Sequence, residues 1–160
     1  MDNIVKLLKS FVYAFNGIVY TVKNERNMRI HLVCMTYMFS ILVFSDWFII
    51  SKTEYAILLL ACGTVIAGET VNTAIENAVN LASKEKTAYG RIAKDAAAGA
   101  VLLSTAFAVL CGIVIMFQPE AFVAMFEYFC KNLHMLAIFI ISLVFAFIFI
   151  FKGFKSRKEK

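Results

Sequence analysis

Long apolar runs alternate with short polar segments along this chain, and the lengths of the runs predict its elements. A helix needs about 20 apolar residues to cross a hydrocarbon core. Four runs reach that length, and they cover residues 30–50, 55–81, 93–117 and 133–151. The pattern therefore predicts an all-α integral membrane protein with four transmembrane helices.

The segment before the first run, residues 1–29, has a different periodicity. Polar residues recur there every three or four places, which predicts one polar stripe along an amphipathic surface helix. Two interpretations remain open for this helix. It is an anchor lying in the membrane interface, or its polar stripe covers a site, with Lys6 and Lys9 able to face phosphates.

Composition and charge support the membrane assignment and add an orientation. The chain is 61% hydrophobic, has a mean hydropathy of +0.78 and contains one proline, which is unlike a soluble domain. Residues 1–29, 46–54, 84–95, 120–131 and 152–160 carry net charges of +3, −1, +2, −1 and +4 in turn. Because Lys and Arg stay on the cytoplasmic side, both termini are predicted to be cytoplasmic. The net charge of +5 then follows from topology and gives no reason to expect nucleic-acid binding.

Cysteine and histidine give no sign of a metal centre. The four cysteines (Cys34, Cys62, Cys111 and Cys130) lack C-x-x-C spacing, so they are predicted to be free thiols. His31 and His134 each stand alone at the edge of a span, which makes a metal-binding role improbable for either.

The stretch 68-GETVNTAIENAVN-80 carries the first candidate chemistry. At about 100° per residue, Glu69, Asn72, Glu76 and Asn80 fall within about 80° of one another on a single helix face. A carboxylate inside hydrocarbon costs at least about 2.5 kcal/mol, and it indicates a functional site with a specific partner. The structural alternative is an interhelical hydrogen bond, or an ion pair with a base such as Lys94.

The predicted topology brings further charges to the cytoplasmic end of this face. Glu25, Glu76, Lys94 and Asp95 lie at one level, next to the surface helix. Carboxylates at a water-facing rim suit a Mg²⁺ ion that holds a polyphosphate, whereas the deeper Glu69 can meet a hydroxyl that arrives through the membrane. The chain has neither a P-loop nor a kinase-type glycine-rich loop.

The remaining segments carry less chemistry. The third run opens with 91-RIAKDAAAGAVLL-103, whose small residues predict close helix packing. The segment 118–132 is predicted to be an extracytoplasmic loop, 133–151 an additional lipid-facing helix, and 152–160 a basic cytoplasmic tail.

Three segments resemble the prokaryotic diacylglycerol kinases, which are small integral-membrane lipid kinases. They are 13-YAFNGIVYTVKNERNMRIHL-32, 69-ETVNTAIENAV-79 and 91-RIAKDAAAGAVLL-103, and 24-NERNMRIHL-32 is most similar to the Gram-positive undecaprenol kinase branch. The resemblance covers about residues 5–117 and implies a surface helix, a three-span kinase core over 30–117 and a homotrimer with sites shared between protomers.

The resemblance also implies roles for individual residues. Glu69 would be the general base for the lipid hydroxyl, and Glu25 and Glu76 would hold the divalent metal, Mg²⁺. The ATP side would be formed by a larger set, namely Lys9, Tyr13, Glu25, Asn72, Glu76, Lys94 and Asp95. Two departures are visible: Asn80 stands where the family commonly has Asp, and the chain continues into a fourth span.

The resulting hypothesis is an ATP- and Mg²⁺-dependent lipid kinase of the bacterial cell membrane, with its active site at the cytoplasmic face. Undecaprenol is the preferred acceptor and diacylglycerol the alternative within the class. The alternatives from other classes are a non-enzymatic membrane protein in which Glu69 relays protons, and a degenerate family member that acts as a scaffold.

Overall fold

Helices joined by short connections make up the part of the chain that its computed structural model describes, residues 2–82 and 87–152, and no strand occurs there. The helices are α1 (Asp2–Asn24), α2 (Arg26–Phe44), α3 (Lys52–Ala82), α4 (Ala88–Met116), α5 (Pro119–Lys131) and α6 (Leu133–Lys152). Within the described residues, α2, α3, α4 and α6 are long and apolar enough to cross a membrane. This confirms the predicted all-α membrane fold.

The helix α2 differs most from its predicted run, because it ends at Phe44 rather than near residue 50. The Ser45 backbone N–H and hydroxyl both bond to the carbonyl of Ile41, at 3.1 and 2.7 Å. The next apolar residues leave the helix, and the ring of Trp47 packs edge-on against Tyr128 of α5, with centroids 5.2 Å apart. Trp47 and Phe48 of this connection therefore pack at the end of the bundle.

The connection 118–132, predicted as a loop, is mostly helical. It contains α5, which begins with Pro119 in its first turn, where a proline costs the helix no hydrogen bond. The side chain of Gln118 bonds to both backbone groups of Ile49, at 3.1 Å each. This pair of bonds ties the end of α4 to the connection between α2 and α3.

The helices α3 and α4 form the centre of the fold as an antiparallel hairpin. A Cβ atom placed on Gly68 would lie 3.6 Å from Val101 Cγ2, so the two backbones approach closely at that level. Ala97, from the predicted small-residue segment, is buried. The helix α2 packs on α3, and α6 packs on α2 and α5.

The surface helix α1 is confirmed as a helix, and it contacts the bundle only through its C-terminal part. Residues 3–18 are exposed on every side, whereas Thr21 is buried. Its position in the membrane interface remains a prediction. Residues 83–86, and the predicted basic tail apart from Lys152, lie outside the described residues.

Candidate active site

The polar face predicted on α3 runs from the interior of the bundle to its surface. Glu69 is 2% exposed, Thr73 3% and Asn72 9%. Glu76 is half-buried and Asn80 is exposed. The face therefore joins a buried carboxylate to the accessible C-terminal end of α3.

The partner of Glu69 comes from α2 and is His31. His31 Nε2 lies 3.5 Å from Glu69 Oε1, and both side chains are largely enclosed. Lys94, which the sequence suggested as a counter-ion, instead donates to Asn80 Oδ1 at 2.6 Å. Lys94 lies one level nearer the surface and does not pair with Glu69, whereas the contact with His31 is an interhelical contact of the kind that the structural alternative describes.

Glu25 occupies the corner between α1 and α2. It is the single non-helical residue there, with φ −100° and ψ 120°, and its N–H donates to the Thr21 carbonyl at 2.8 Å. The pKa of Glu25 is raised above its ordinary value, first by burial and then by the charges of Glu76 and Glu69, while the Arg29 guanidinium opposes the shift. The three predicted carboxylates are therefore close enough to repel one another.

A groove of about 240 Å³ opens beside Glu69 between α2, α3 and α4. Its lining is polar near α3 and apolar toward α4, and it includes Asn27, His31, Glu69, Asn72, Val101, Leu102 and Thr105. Asn72 Oδ1 and Thr105 Oγ1 are buried and have no hydrogen-bond partner among the described residues. A buried polar atom without a partner is costly, so this groove is suited to a ligand that carries polar groups into the bundle.

The rim above the groove holds the other polar contacts of α3. Asn72 Nδ2 donates to Glu76 Oε1 at 3.4 Å, which leaves the Asn72 oxygen directed away from Glu76. The Lys94 to Asn80 bond joins α4 to α3 one turn further toward the surface. Nucleotide phosphates could approach these groups from the open end of α3.

Three predicted nucleotide-side residues are not part of this cluster. Lys9, Tyr13 and Asp95 are exposed, and within residues 2–82 and 87–152 none of them makes a hydrogen bond or an ion pair. The structure of a single chain thus brings together Glu25, Glu69, Asn72 and Glu76 and leaves these three outside.

The donor set fits a hard divalent cation that is held in part by phosphate. In the described part of the chain, no three His, Cys, Asp or Glu side chains are grouped as a complete metal site. However, burial and then the charges of Glu76 and Glu69 raise the pKa of Glu25, and a bound cation would relieve the repulsion between these carboxylates. Mg²⁺ is commonly held by one or two carboxylates together with substrate phosphates, so Glu25 and Glu76 suffice as protein ligands.

The sequence does not single out three polar residues of the groove, Asn27, His31 and Thr105. His31 has no neighbouring metal ligand in the chain, so the sequence predicts no metal-binding role for it. Two features of the sequence point to His31: Glu69 needs a partner inside the membrane, and His31 lies in the same motif as Glu25. Thr105 carries no such signal, because threonines in membrane helices usually bond to their own backbone.

Four candidate spans around a buried carboxylate define a multi-pass membrane protein with a polar site between its helices. The sequence matches the prokaryotic diacylglycerol kinase family over residues 12–116. That match covers more than half of the chain, and the protein belongs to this family. It is therefore a membrane lipid kinase, an enzyme that uses a nucleotide co-substrate, and the non-enzymatic alternatives are set aside.

Two relatives share the same degree of identity. The undecaprenol kinase of Bacillus subtilis is 34% identical over 115 residues, which are 72% of this chain and 90% of that protein. The diacylglycerol kinase of Synechocystis sp. is 34% identical over 114 residues, which are 71% of this chain and 63% of that protein. No solved structure matches the chain. In this chain, α6 lies beyond the residues matched by the family.

Proposed function

We propose that this lipid kinase transfers the γ-phosphate of ATP to the primary hydroxyl of a membrane lipid alcohol, and that undecaprenol is its preferred acceptor. The observation that carries the proposal is the position of Glu69. Glu69 is buried and lines a groove between the spans. The same helix face carries Asn72, which bonds to the more accessible Glu76. A lipid hydroxyl and a water-soluble nucleotide can meet only along such a path.

The transfer is a direct in-line displacement. The lipid oxygen forms a bond to the γ-phosphorus, the bond to the β-phosphate oxygen breaks, and ADP leaves. Glu69 accepts the hydroxyl proton, and His31, 3.5 Å away, fixes the orientation of that carboxylate. Because the site is enclosed, each fixed charge acts more strongly than it would in water.

The remaining residues act on the phosphate side. Mg²⁺, when bound, would neutralise charge on the β- and γ-phosphates, and Glu25 and Glu76 are the residues that would hold it. Asn72 positions Glu76, and the Lys94 ammonium, held by Asn80, adds positive charge near the transferred group. Lys9, Tyr13 and Asp95 would complete the nucleotide site from a neighbouring protomer of a homotrimer.

The preference for undecaprenol rests on the coverage of the relatives and on the motif 24-NERNMRIHL-32. The undecaprenol kinase is covered over 90% of its length, against 63% for the diacylglycerol kinase. One observation favours diacylglycerol as a second acceptor. The unpartnered Thr105 hydroxyl could donate to an ester carbonyl, a group that a prenol lacks.

We infer from the charge pattern that the site and both termini lie at the cytoplasmic face of the cell membrane. The carboxylate cluster lies where α1 meets α2 and where α3 ends. These points adjoin the basic segments 1–29 and 84–95. The positive-inside rule then assigns this end of the bundle to the cytoplasm, where ATP is available.

Transfer of labelled γ-phosphate by the purified protein tests the proposal. Undecaprenol and diacylglycerol would be offered separately in mixed micelles with Mg²⁺. Glu69→Gln should lower kcat by about a hundredfold or more, as expected for loss of a general base. Glu120→Gln, the same change at an exposed position of α5, is the control and should be fully active. Absence of label in both lipids with folded native protein would remove both acceptors.

A further inference from the structure

The helix α6 is docked on the kinase core by polar contacts. Tyr37 Oη of α2 donates to Ser142 Oγ at 2.9 Å, and the Tyr37 ring stands edge-on to Phe139 at 5.9 Å. The less exposed positions of α6 recur at 136, 139, 142, 146 and 149–150, which is one helical face. Thus α6 has a defined orientation against α2, although it lies outside the segment shared with the family.

A second contact connects α6 to the entrance of α2 through Arg29. Arg29 is 6% exposed, and its Nε donates to the carbonyl of Ile150 at 3.1 Å. Its Nη1 donates to the carbonyls of Val22 and Lys23, at 3.0 Å each. The last carbonyls of a helix lack partners within the helix and carry partial negative charge. The guanidinium therefore binds the C-terminal turns of α1 and α6 at once.

Arg29 also stands one helical turn from Glu25. Its backbone N–H donates to the Glu25 carbonyl at 3.4 Å. Glu25 is the only residue between α1 and α2, so the angle between these helices fixes where its carboxylate lies. Because Arg29 joins the end of α1 to the start of α2, it helps to hold that angle.

We propose that α6 supports metal binding by the kinase: it holds Arg29 in place, and Arg29 positions the Glu25 carboxylate for the divalent metal. This role rests on the metal-binding function proposed above for Glu25. If α6 left its place, the Nε–H of Arg29 would lose its acceptor. The guanidinium would then turn away from the ends of α1, and the corner that holds Glu25 would loosen.

Ser142→Phe tests the proposal, because a phenylalanine cannot fit where Ser142 Oγ lies 2.9 Å from Tyr37 Oη. Val144→Phe is the matched control, since Val144 is 55% exposed on another face of α6. Arg29→Lys is the second variant, which keeps the charge but loses the forked donor geometry. Metal affinity would be measured by electron paramagnetic resonance titration of Mn²⁺, and KM for Mg²⁺ and kcat by lipid phosphorylation.

We expect Ser142→Phe and Arg29→Lys each to weaken Mn²⁺ binding and to raise KM for Mg²⁺ by about fivefold or more, since small displacements of a positioned group have large effects. The value of kcat at saturating Mg²⁺ should change less, and Val144→Phe should resemble the native chain. The double variant should be no weaker than Arg29→Lys alone, because both changes remove the same linkage.

Equal Mn²⁺ affinity for Ser142→Phe, Val144→Phe and the native chain, with unchanged helix content, would overturn the proposal. If Ser142→Phe does not fold, Arg29→Lys decides by the same measurements. A native chain that binds Mn²⁺ but labels neither lipid would instead refute the proposed function. The Mn²⁺ titrations would still decide whether α6 acts on Glu25.

Discussion

At the scale of single residues, the site is a set of three carboxylates, each with a different neighbour. Glu69 lies against His31, Glu76 accepts from Asn72, and the charge of Arg29 acts on Glu25. These neighbours separate the roles, because only Glu69 is enclosed beside the groove while the other two face the accessible end. A proton acceptor for a lipid and a pair of metal ligands can therefore coexist within a few turns of helix.

Replacement of Glu25 by Gln should stabilise the metal-free protein at neutral pH. The pKa of Glu25 is raised in the folded chain, so protonated Glu25 favours the folded state and ionised Glu25 disfavours it. Its contribution to stability is complete below the unfolded pKa of about 4.3 and is lost as the pH rises through the folded pKa. The free energy of unfolding of the variant should rise by less than about 1 kcal/mol, because Glu25 is only half-buried and water screens the repulsion.

Thermal unfolding in detergent with EDTA, at pH 5 and pH 8, would measure this gain. It should be larger at pH 8, and added Mg²⁺ should stabilise only the native chain, because a ligand that binds the folded state raises its stability. Glu120→Gln serves as the control. A native chain more stable than Glu25→Gln at pH 8 in EDTA would show that the carboxylates do not repel one another.

Thr105→Val should separate the two candidate acceptors. It removes the unpartnered hydroxyl with little change in volume. If that hydroxyl donates to an ester carbonyl, kcat/KM for diacylglycerol should fall about three- to tenfold, the value of one hydrogen bond, while undecaprenol is unaffected.

The kcat/KM values for each lipid in mixed micelles would be compared with those of Ser104→Ala. Ser104 is a suitable control because its hydroxyl donates to the Ala100 carbonyl at 2.9 Å. An equal loss for both lipids would mean that Thr105 contacts the common hydroxyl, or shapes the groove, and does not select between acceptors.

The sequence could predict the residues of the site that share one helix. Glu69, Asn72 and Glu76 follow from the rotation of about 100° per residue, and burial of that face is observed. His31 and Thr105 could not be predicted in the same way. Their inclusion depends on how α2 and α4 are rotated against α3, which periodicity along one helix does not determine.

At the scale of elements, the α3–α4 hairpin positions the rim of the site, and the two helices approach each other closely at Gly90. A Cβ atom there would lie 2.9 Å from Thr87 Oγ1 and 3.1 Å from Val79 Cγ1. Thr87 caps α4 by accepting from the Gly90 N–H at 3.0 Å. Close approach at this position therefore holds the beginning of α4 against the end of α3.

Gly90→Ala should disturb this end of the hairpin. We expect a loss of about 1–2 kcal/mol, typical of a disrupted cap or an overpacked contact, and a several-fold rise in KM for ATP. Gly112→Ala on the same helix is the control, because a Cβ there meets nothing within 4 Å. Thermal unfolding and ATP kinetics would measure both effects. A Gly90→Ala protein that matches Gly112→Ala would mean that the rim can adapt.

The sequence predicted the spans well because twenty apolar residues can satisfy their backbone in lipid only as a helix. It missed α5 for a related reason. A helix of 13 residues is too short to cross the membrane, so the amphipathic segment between two spans is predicted to be a loop. Its aromatic contacts with the end of α2, such as Tyr128 on Trp47, become visible only in three dimensions.

At the scale of the whole molecule, a single chain brings together only some of the residues predicted for the site. The carboxylate cluster is assembled, whereas Lys9, Tyr13 and Asp95 are exposed and lack contacts among the described residues. Much of α4 is also exposed, including Leu103 and Phe107. Lipid or neighbouring copies can cover such a surface, and a symmetric trimer would repeat one interface three times.

Mixing two inactive variants tests whether neighbouring protomers complete the site. Glu69→Gln lacks the proton acceptor, and Asp95→Asn lacks the predicted nucleotide contact. If each site takes Glu69 from one protomer and Asp95 from the next, random mixing in equal amounts leaves about one site in four intact, given cyclic symmetry. Purification of co-expressed variants through two different affinity tags removes the homotrimers, and each mixed trimer then holds one intact site of three, so the protein should recover roughly a third of native activity. If every site lies within one chain, each protomer keeps its own lesion, and the mixed protein should be as inactive as either variant alone.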